Sequence, residues 1–386
     1  METLKEAFDM GIEKKKQIII SVNSPGEIAG WMKPAVKAIK KRLPECSIKA
    51  LLLPCVFASG NEEQVLKDVP EIDGIIMKDG LKNMLLGKPS EDETDTYFLH
   101  IGGELALTAM LAERKRTFAW GYQWGTRRSD PHYAGYFVKS DMDRRVLLKR
   151  GIPDYKIHVT GDLLYDAAIS GIEGGRPADP PENIKNITFM CGSRLRELKG
   201  LLPFFLKTAY ILKKRHECLQ FKTVISPFID WNEFKEIGEI RPLKEVGGFV
   251  GAVEPDEMCF FLKDDPSFFI RLAKGNHCEE MNSSDFIVSI PGTKTGEAAC
   301  LEKPMLVILP LNRPDWIPAF GIVGLLDWIP VIGPSLKGKL IYGAARKFGF
   351  TAQPNILAER EIVPEMKGIL TPEGVAEKID SLISDP

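Results

Sequence analysis

The chain has 386 residues, of which 44% are hydrophobic and 27% are charged, so we expect a globular protein of two or three domains with a sizeable core. Its 51 Lys and Arg residues are balanced by 53 Asp and Glu residues, and this net charge of -2 gives no indication of a nucleic-acid partner. The N-terminus METLKEAFDMGIEKKK lacks the apolar segment of a signal peptide, and the seven scattered cysteines include no CxxC pair, which predicts a cytoplasmic protein with reduced thiols and no metal site.

Short strands alternate with helices through the first half of the chain. A β-branched strand at 17–22 is followed by a turn with Gly26 and Glu27, and then by a helix whose apolar residues recur every three or four positions. Further strands are predicted at 48–54, 96–101, 116–120, 136–138 and 158–160. The alternation predicts a parallel α/β sheet in an N-terminal domain of residues 1–170.

The same pattern restarts after residues 171–185, which are rich in Gly and Pro and are predicted to be a linker. A second α/β domain is predicted at 186–350, with a long helix at 195–214 and strands at 186–191, 221–225, 268–272, 286–290 and 305–309. Residues 351–386 are expected to form a C-terminal helical segment, for which packing back on the N-terminal domain is one arrangement. Two doubly wound domains that face a central cleft are the simplest architecture, with the glycine turns after the strands lining the cleft.

One turn of the second domain has the residues of a phosphate site. Gly292, Thr293 and Thr295 follow a buried strand and precede a helix, where backbone N–H groups and hydroxyls stabilise a diphosphate. Glu297, in the first turn of that helix, would accept hydrogen bonds from ribose hydroxyls. A plain helix cap with an acidic residue in the first turn is the alternative.

A second turn of this kind contains Gly192 and Ser193, and it adds a cation, Arg194, that would neutralise a phosphate. The turn at Gly26 and Glu27 carries a weaker signal for nucleotide-sugar binding, because a glycine after a strand is common in any α/β protein.

Candidate residues for an acceptor lie in the N-terminal domain. His100 and Glu104 flank a glycine turn, where a general base that activates a hydroxyl would belong, although each is equally compatible with a structural role. An aromatic and basic stretch would bind a sugar or a lipid phosphate through Tyr122, Trp124, Arg127 and Arg128. The DxD formed by Asp141 and Asp143 fits a capping box at a helix start better than a metal site.

The stretch 317–334 is apolar and aromatic and is followed by Lys337 and Lys339. Its three prolines, three glycines and Asp327 break it too often for a bilayer span, but it suits insertion into a membrane interface. The predicted interface residues are Trp316, Ile317, Phe320, Leu325, Leu326 and Trp328. A buried connection or a dimer surface is the alternative.

Four segments taken together resemble lipid-A-disaccharide synthase, a GT-B glycosyltransferase. They are PGEIAGW near the N-terminus, CGSRLRELKGLLPFFLKTAYIL and PGTKTGEAACLEKPMLVI in the second domain, and PNILAEREIVPEMKGILTPEGVAEKI near the C-terminus. The resemblance implies two Rossmann-like domains with a UDP-sugar bound mainly by the second. It also implies inverting, metal-independent transfer to a lipid-linked acceptor at the inner membrane surface, often by a dimer.

By position, the resemblance implies that Arg194, Thr293, Glu297 and Asn355 lie around the donor, a UDP-acylglucosamine or UDP-N-acetylglucosamine that is a substrate and not a cofactor. The sequence departs from the family on the acceptor side. The strand that in the family ends in the proposed base, an aspartate, here reads FLHIGGELA, so that the base falls to His100 or Glu104.

The segment VTGDLLYDA resembles a turn of the UDP-N-acetylglucosamine 2-epimerases, another GT-B family. An isomerase or hydrolase of nucleotide sugars therefore stays open as an alternative. A catalytically silent protein that keeps the GT-B fold and binds a nucleotide or a lipid is the third hypothesis.

Overall fold

The computed structural model describes residues 16–55, 58–86, 95–122, 132–179, 181, 183–312 and 349–384. The chain divides into two compact units. The first unit comprises Met1–Ala58 and Glu62–Leu163, and the second comprises Ser59–Asn61 and Leu164–Pro386. The division at residue 164 lies before the boundary at 170 that the sequence predicted.

A single parallel sheet forms the centre of the first unit. Its strands are β1 (Lys16–Val22), β2 (Ser47–Leu52), β3 (Gly74–Ile76), β4 (Asp95–His100), β5 (Ala119–Tyr122), β6 (Tyr133–Val138) and β7 (Ile157–Val159), in the order β3-β2-β1-β4-β5-β6-β7. The helices are α1 (Lys33–Arg42), α2 (Glu62–Lys67), α3 (Lys78–Leu86), α4 (Leu105–Arg114) and α5 (Asp141–Lys149). The strand order reverses between β1 and β4, so the carboxyl ends of these strands flank a switch point, where α/β sheets bind their ligands.

The burial of β1 follows from its central place. Residues 18–22 of this strand are buried without alternation, as expected for a parallel strand that is covered on both faces. Its β-branched side chains pack with those of the flanking strands into a core that includes Ile19, Leu51, Phe98 and Tyr136.

The helix after β1 is not regular. It starts with Pro25–Glu27, passes through a π-helical segment at Ile28–Met32, and becomes α-helical in α1. The π-helical segment contains Trp31, whose ring meets that of Tyr122 edge-on at a centroid distance of 6.0 Å. Such widened turns often occur at functional sites, and here one lies beside the switch point.

The second unit has a larger sheet with the same central topology. Its strands are β8 (Asn186–Met190), β9 (Gln220–Ile225), β10 (Glu239–Ile240), β11 (Gly251–Glu254), β12 (Cys259–Leu262), β13 (Asp265–Lys274), β14 (Phe286–Ser289), β15 (Met305–Pro310) and β16 (Glu365–Gly368), in the order β10-β11-β12-β13-β9-β8-β14-β15-β16. Its helices are α6 (Leu163–Ser170), α7 (Leu195–Arg215), α8 (Trp231–Lys235), α9 (His277–Asn282), α10 (Thr293–Cys300), α11 (Gln353–Ala358) and α12 (Pro372–Ser384). The switch point lies between β8 and β14, which are parallel neighbours.

An antiparallel addition at one edge of this sheet was not predicted from the sequence. Strands β10, β11, β12 and β13 pair antiparallel, whereas the rest of β13 runs parallel to β9. The long β13 therefore belongs to both parts of the sheet. The core beneath it is rich in aromatic side chains, among which Phe189 and Phe205 stack at 4.4 Å between ring centroids.

The predicted linker and the C-terminal segment both make contacts within the second unit that the sequence did not indicate. Where a free linker was expected, Ala178 donates its N–H to Asn282 Oδ1 at 2.8 Å, and Gly171 lies against Cys278. The C-terminal segment contributes β16 to the sheet beside β15, and α12 packs against α7. The described residues of this segment therefore form part of the second unit.

The predicted cap at the start of α5 is confirmed. The Ser140 hydroxyl caps α5 by accepting the Asp143 N–H and donates to the Asp143 carboxylate at 2.7 Å, as expected for a helix cap. All seven cysteines are free thiols. Within the described residues, no helix has both the length and the apolar character needed to cross a membrane.

Candidate functional site

The carboxyl edge of the first sheet brings two predicted turns together. Gly102 follows β4 and Glu27 follows β1, and a Cβ atom at Gly102 would lie 1.8 Å from Glu27 Oε2. The Asn23 N–H donates to the same carboxylate oxygen at 2.9 Å. The Glu27 carboxylate is thus held at the switch point, in the space that the missing side chain of Gly102 leaves free.

Burial raises the pKa of the Glu27 carboxyl to about 7, although hydrogen bonds from the backbone of Asn23, Ser24 and Gly103 oppose this effect. A carboxylate with a pKa near neutrality, at the ligand-binding edge of an α/β sheet, is suited to general base catalysis. The sequence analysis assigned Glu27 to nucleotide-sugar binding and not to catalysis. The signal for a base, which it did not use, was a carboxylate directly after a central strand.

His100 lies in the interior of the first unit. Its Nδ1 atom is 3.0 Å from both the Ser21 and the Thr108 hydroxyls, and its side chain has 0% exposure. Burial lowers the pKa of this imidazole to about 4. An imidazole with so low a pKa, held between two hydroxyls in the core, is a weak proton acceptor, so we assign His100 a structural role and not that of a base.

Two of the other acceptor-side candidates, Glu104 and Tyr122, lie at the same edge of the sheet. Glu104 is exposed and occupies the position before α4. Tyr122 is buried, and its hydroxyl donates to Asp162 Oδ1 at 3.2 Å and accepts the Leu163 N–H at 3.0 Å. Tyr122 therefore anchors the turn after β7 in this structure. Trp124, Arg127 and Arg128 lie outside the described residues, as do Trp316, Ile317, Phe320, Leu325, Leu326 and Trp328.

The second unit brings the two predicted phosphate turns to adjacent strand ends. Gly192 follows β8 and Gly292 follows β14, and a Cβ atom at Gly192 would lie 3.0 Å from the Ile290 side chain. Gly292 is exposed and Thr293 is partly exposed. The first turn of α10 leaves backbone N–H groups without helical acceptors and directs the positive end of the helix dipole to this point, which suits a diphosphate.

Arg194 is engaged by its own helix. Its guanidinium pairs with Glu197, which also accepts the N–H groups of Ser193 and Arg194 at 3.1 and 3.3 Å. These contacts form a capping box at the start of α7. A phosphate would therefore meet the Arg194 side chain, which is 25% exposed, and not the two N–H groups.

Thr295 and Glu297 point into the second unit. The Thr295 hydroxyl donates to the Gly292 carbonyl at 2.8 Å and accepts the Gln353 N–H at 3.0 Å, which connects α10 to α11. Glu297 has 1% exposure and pairs with His277 at 2.7 Å and with Lys294 at 2.7 Å. Burial alone would raise the pKa of Glu297, but the charges of Lys294 and His277 lower it to about 2.

The sequence analysis missed these two partners of Glu297. The spacing of Lys294 and Glu297 on one helix was a signal for their ion pair, whereas nothing in the sequence related His277 to them. The donor atoms of His277, Cys278 and Glu297 lie within 4.8 Å of one another, a grouping that could hold a metal ion. Lys294 supplies a positive charge at this carboxylate.

Asn355 is fully buried and holds the chain between α11 and β16. Its amide nitrogen donates to the Val363 carbonyl and to Glu365, each at 2.8 Å, and its oxygen accepts the N–H groups of Ile362 and Val363. Both the nitrogen and the oxygen of the Asn355 amide are thus hydrogen-bonded within the protein, so the side chain holds the conformation of this loop.

Known proteins resemble this chain in sequence and in fold. No protein-family model matches the chain. The lipid-A-disaccharide synthase of Anaeromyxobacter sp. is 29% identical over 53% of this chain and 42% of its own length. That of Aromatoleum aromaticum is 24% identical over 91% of this chain and 83% of its own length. The match to the first of these relatives thus spans less than half of that protein.

Among solved structures, the UDP-GlcNAc 2-epimerase from Neisseria meningitidis bound to UDP-GlcNAc has a TM-score of 0.51 at 15% identity, over 96% of this chain and 92% of that chain. This likeness concerns the fold alone, and it confirms the predicted GT-B class for two α/β units. The resemblance to lipid-A-disaccharide synthases that four sequence segments predicted is likewise confirmed, at the low identity of a divergent relative.

Proposed function

We propose that this chain is a glycosyltransferase that transfers a sugar from a UDP-sugar, of the UDP-acylglucosamine or UDP-N-acetylglucosamine type, to a lipid-linked acceptor. The observation that carries the proposal is the Glu27 carboxylate, whose pKa is about 7 at the switch point of the first sheet. Similarity to glycosyltransferases over both units supports the class of reaction.

In the proposed reaction, Glu27 takes the proton of an acceptor hydroxyl while its oxygen attacks the anomeric carbon of the sugar. The bond between that carbon and the diphosphate oxygen breaks, and the electron pair leaves with UDP. Direct displacement inverts the anomeric configuration. The negative charge that develops on the diphosphate is stabilised by the Arg194 guanidinium and by the first turn of α10, without a metal ion.

Thr293 would donate its hydroxyl to the diphosphate from the start of α10. Glu297, whose pKa is about 2, would be ionised at neutral pH and able to accept hydrogen bonds from ribose hydroxyls once its contacts with Lys294 and His277 rearrange. Asn355 and Thr295 act indirectly in this proposal, because they fix α11 and the following loop against α10.

A lipid-linked acceptor requires contact with a membrane surface. We assign this contact to the segment 317–334, on the cytoplasmic face of the inner membrane, with a homodimer as a further expectation. Co-sedimentation with liposomes should decrease in the double variant Trp316→Glu with Trp328→Glu. Undiminished co-sedimentation would remove the segment from the proposal.

The donor site is tested by calorimetry with UDP. Arg194→Ala should weaken UDP binding by about tenfold or more, because it removes a charge-assisted contact. Lys199→Ala, on an exposed position of the same helix, is the matched control. If Arg194→Ala binds UDP as the wild type does, the donor site is not at this turn.

Product analysis separates the alternatives. Incubation with UDP-N-acetylglucosamine alone should yield no epimerised sugar, whereas addition of a lipid extract should yield a glycosylated lipid and UDP. Epimerised sugar in the absence of an acceptor would instead support the isomerase or hydrolase. UDP binding without turnover on any acceptor in the extract would support a catalytically silent protein.

A further inference from the structure

The side chain of Asn23 contains a buried polar atom that no contact in the structure explains. Asn23 directly follows β1, and its Oδ1 atom is buried and accepts no hydrogen bond from any residue that the structure describes. The neighbouring backbone leaves this residue little freedom, since Leu53 donates its N–H to the Val22 carbonyl at 2.8 Å and Gly102 donates to the Ser21 carbonyl at 3.0 Å. The unpaired oxygen is thus part of a fixed strand end.

An unpaired buried acceptor is unfavourable, because it has lost its hydrogen bonds to water without replacement. Native proteins rarely contain such groups, and each has a specific explanation, such as local strain, a catalytic role, or a bound water, ion or ligand. Two features indicate a ligand here. Asn23 lies at the switch point of a doubly wound sheet, and its backbone N–H contacts the carboxylate of Glu27 at 2.9 Å.

We propose that Asn23 is a substrate-binding residue whose Oδ1 atom accepts a hydrogen bond from a hydroxyl group of a sugar ring. The proposal rests on the proposed function in one respect, namely that the sugar is the acceptor whose neighbouring hydroxyl is deprotonated by Glu27. A sugar carries hydroxyl donors on adjacent carbons, so a single ring can satisfy the Asn23 carbonyl and the Glu27 carboxylate together. Asn23 thereby orients the nucleophile towards its base.

The first test is thermal stability, which does not depend on any activity. Asn23→Leu replaces the amide by an apolar group of similar size, and its melting temperature should equal or exceed that of the wild type, because an unpaired acceptor has been removed. Asn355→Leu is the matched comparison and should melt at a clearly lower temperature, because every polar atom of that amide is paired. A comparable loss of stability in Asn23→Leu would show a structural role and overturn the proposal.

The second test is binding of n-octyl β-glucoside below its micelle concentration, followed by ligand-detected NMR. This probe has a hydroxyl-bearing ring on an alkyl chain. Wild-type protein should bind it, and Asn23→Leu should bind it about tenfold more weakly, as expected for the loss of one hydrogen bond in a desolvated site. Equal binding by the two proteins, or no binding by the wild type, would overturn the assignment of a sugar hydroxyl as the partner of Asn23.

These results are distinguishable from failure of the proposed function. If no UDP-sugar is ever turned over, the transferase proposal fails, but the binding difference between wild type and Asn23→Leu still identifies a sugar site. If turnover occurs and Asn23→Leu has an unchanged KM for the lipid acceptor, the transferase stands and the role of Asn23 fails.

Discussion

Glu27 combines an unfavourable environment with a central position. Its carboxylate is removed from water, and the hydrogen bonds from neighbouring N–H groups do not fully compensate, so the pKa is about 7 instead of its ordinary 4.5. Because the folded-state pKa is raised, ionisation of Glu27 makes folding less favourable as the pH rises from about 4.5 to 7. Such a cost is typical of residues that are retained for function and not for stability.

Glu27→Gln should lower the rate of transfer about 10²- to 10⁴-fold, because an amide is not a general base. In the wild type, log kcat/KM should rise with pH up to about 7 and then level off, as the carboxylate becomes ionised. The same variant should unfold at a higher urea concentration than the wild type at pH 8. A transfer rate that is unaffected by the substitution would exclude Glu27 as the base, and exposed Glu104 would be the next candidate.

Gly102→Ala tests the packing that holds Glu27. The new Cβ atom would lie 1.8 Å from Glu27 Oε2, so the carboxylate, which is the flexible end of its side chain, must move away. We expect transfer to fall at least tenfold with a small change in melting temperature. Gly74→Ala is the control in the same unit, because its nearest neighbour would lie at an ordinary distance of 3.7 Å. Full activity of Gly102→Ala would show that the position of the carboxylate is not critical.

His100 should make the first unit sensitive to acid. Its pKa of about 4 in the folded protein lies below its ordinary value of 6.5, so the unfolded chain binds a proton that the folded chain excludes between these values. The contribution of His100 to stability should therefore be complete above about pH 6.5 and should decrease by about 3 kcal/mol as the pH falls to 4. The contribution of Glu27 changes in the opposite direction over an overlapping pH range. Urea unfolding of the Glu27→Gln variant at pH 7.5 and at pH 5 therefore isolates the effect of His100.

The variant His100→Gln should reduce that pH dependence, even though it lowers stability at every pH by disturbing the contacts with Ser21 and Thr108. His132→Gln, at a partly exposed histidine of the same unit, is the control for loss of an imidazole outside the core. An unaltered pH dependence in His100→Gln would contradict the interpretation.

At the scale of elements, α7 shows how a helix with an internal proline is accommodated. Pro203 has no N–H to donate within the helix, and its own carbonyl accepts the Phe249 N–H at 3.0 Å in addition to helical contacts. The chain approaches so closely at Gly248, with φ of 134°, that a Cβ atom there would lie 2.3 Å from the Pro203 oxygen. The backbone of α7 at Pro203 and the backbone of the loop at Gly248 are therefore in direct contact, with no room for a side chain at position 248.

Gly248→Ala should destabilise the second unit by about 2 to 5 kcal/mol, because it adds backbone strain and a clash with atoms that are not free to move. Gly374→Ala in α12 is the matched control and should be neutral or slightly stabilising, since its nearest contact would be 3.4 Å and alanine favours a helix. Thermal unfolding measures both. Equal melting temperatures for Gly248→Ala and the wild type would mean that the loop adjusts without cost.

At the scale of the whole molecule, each unit has its own sheet and its own hydrophobic core. We therefore expect calorimetry to resolve two unfolding transitions, since separate cores unfold as separate cooperative units. UDP at 100 times its dissociation constant should stabilise the second unit by about 2.7 kcal/mol and shift only its transition. Gly248→Ala identifies that transition. A shift of the other transition alone would place the nucleotide site in the first unit.

The α/β class and most of the parallel strands could be predicted from local sequence patterns. Buried parallel strands read as short apolar runs followed by glycine turns, so the positions of β1, β4, β8 and β14 follow from local sequence patterns. The start of α5 was also predictable from local sequence, because a helix cap is a contact between residues that are close in sequence. The resemblance to glycosyltransferases also lay in contiguous segments.

Which polar residues are available to a ligand could be seen only in the folded structure. His100 and Asn355 had the right chemistry in the sequence, but both are buried, and the amide of Asn355 is fully hydrogen-bonded, so we give them structural roles. Glu27 became the candidate base, and Asn23 its neighbour, only when residues far apart in sequence came together around Gly102. A pKa and an unpaired oxygen depend on desolvation by distant parts of the chain, and no local pattern in the sequence records that desolvation.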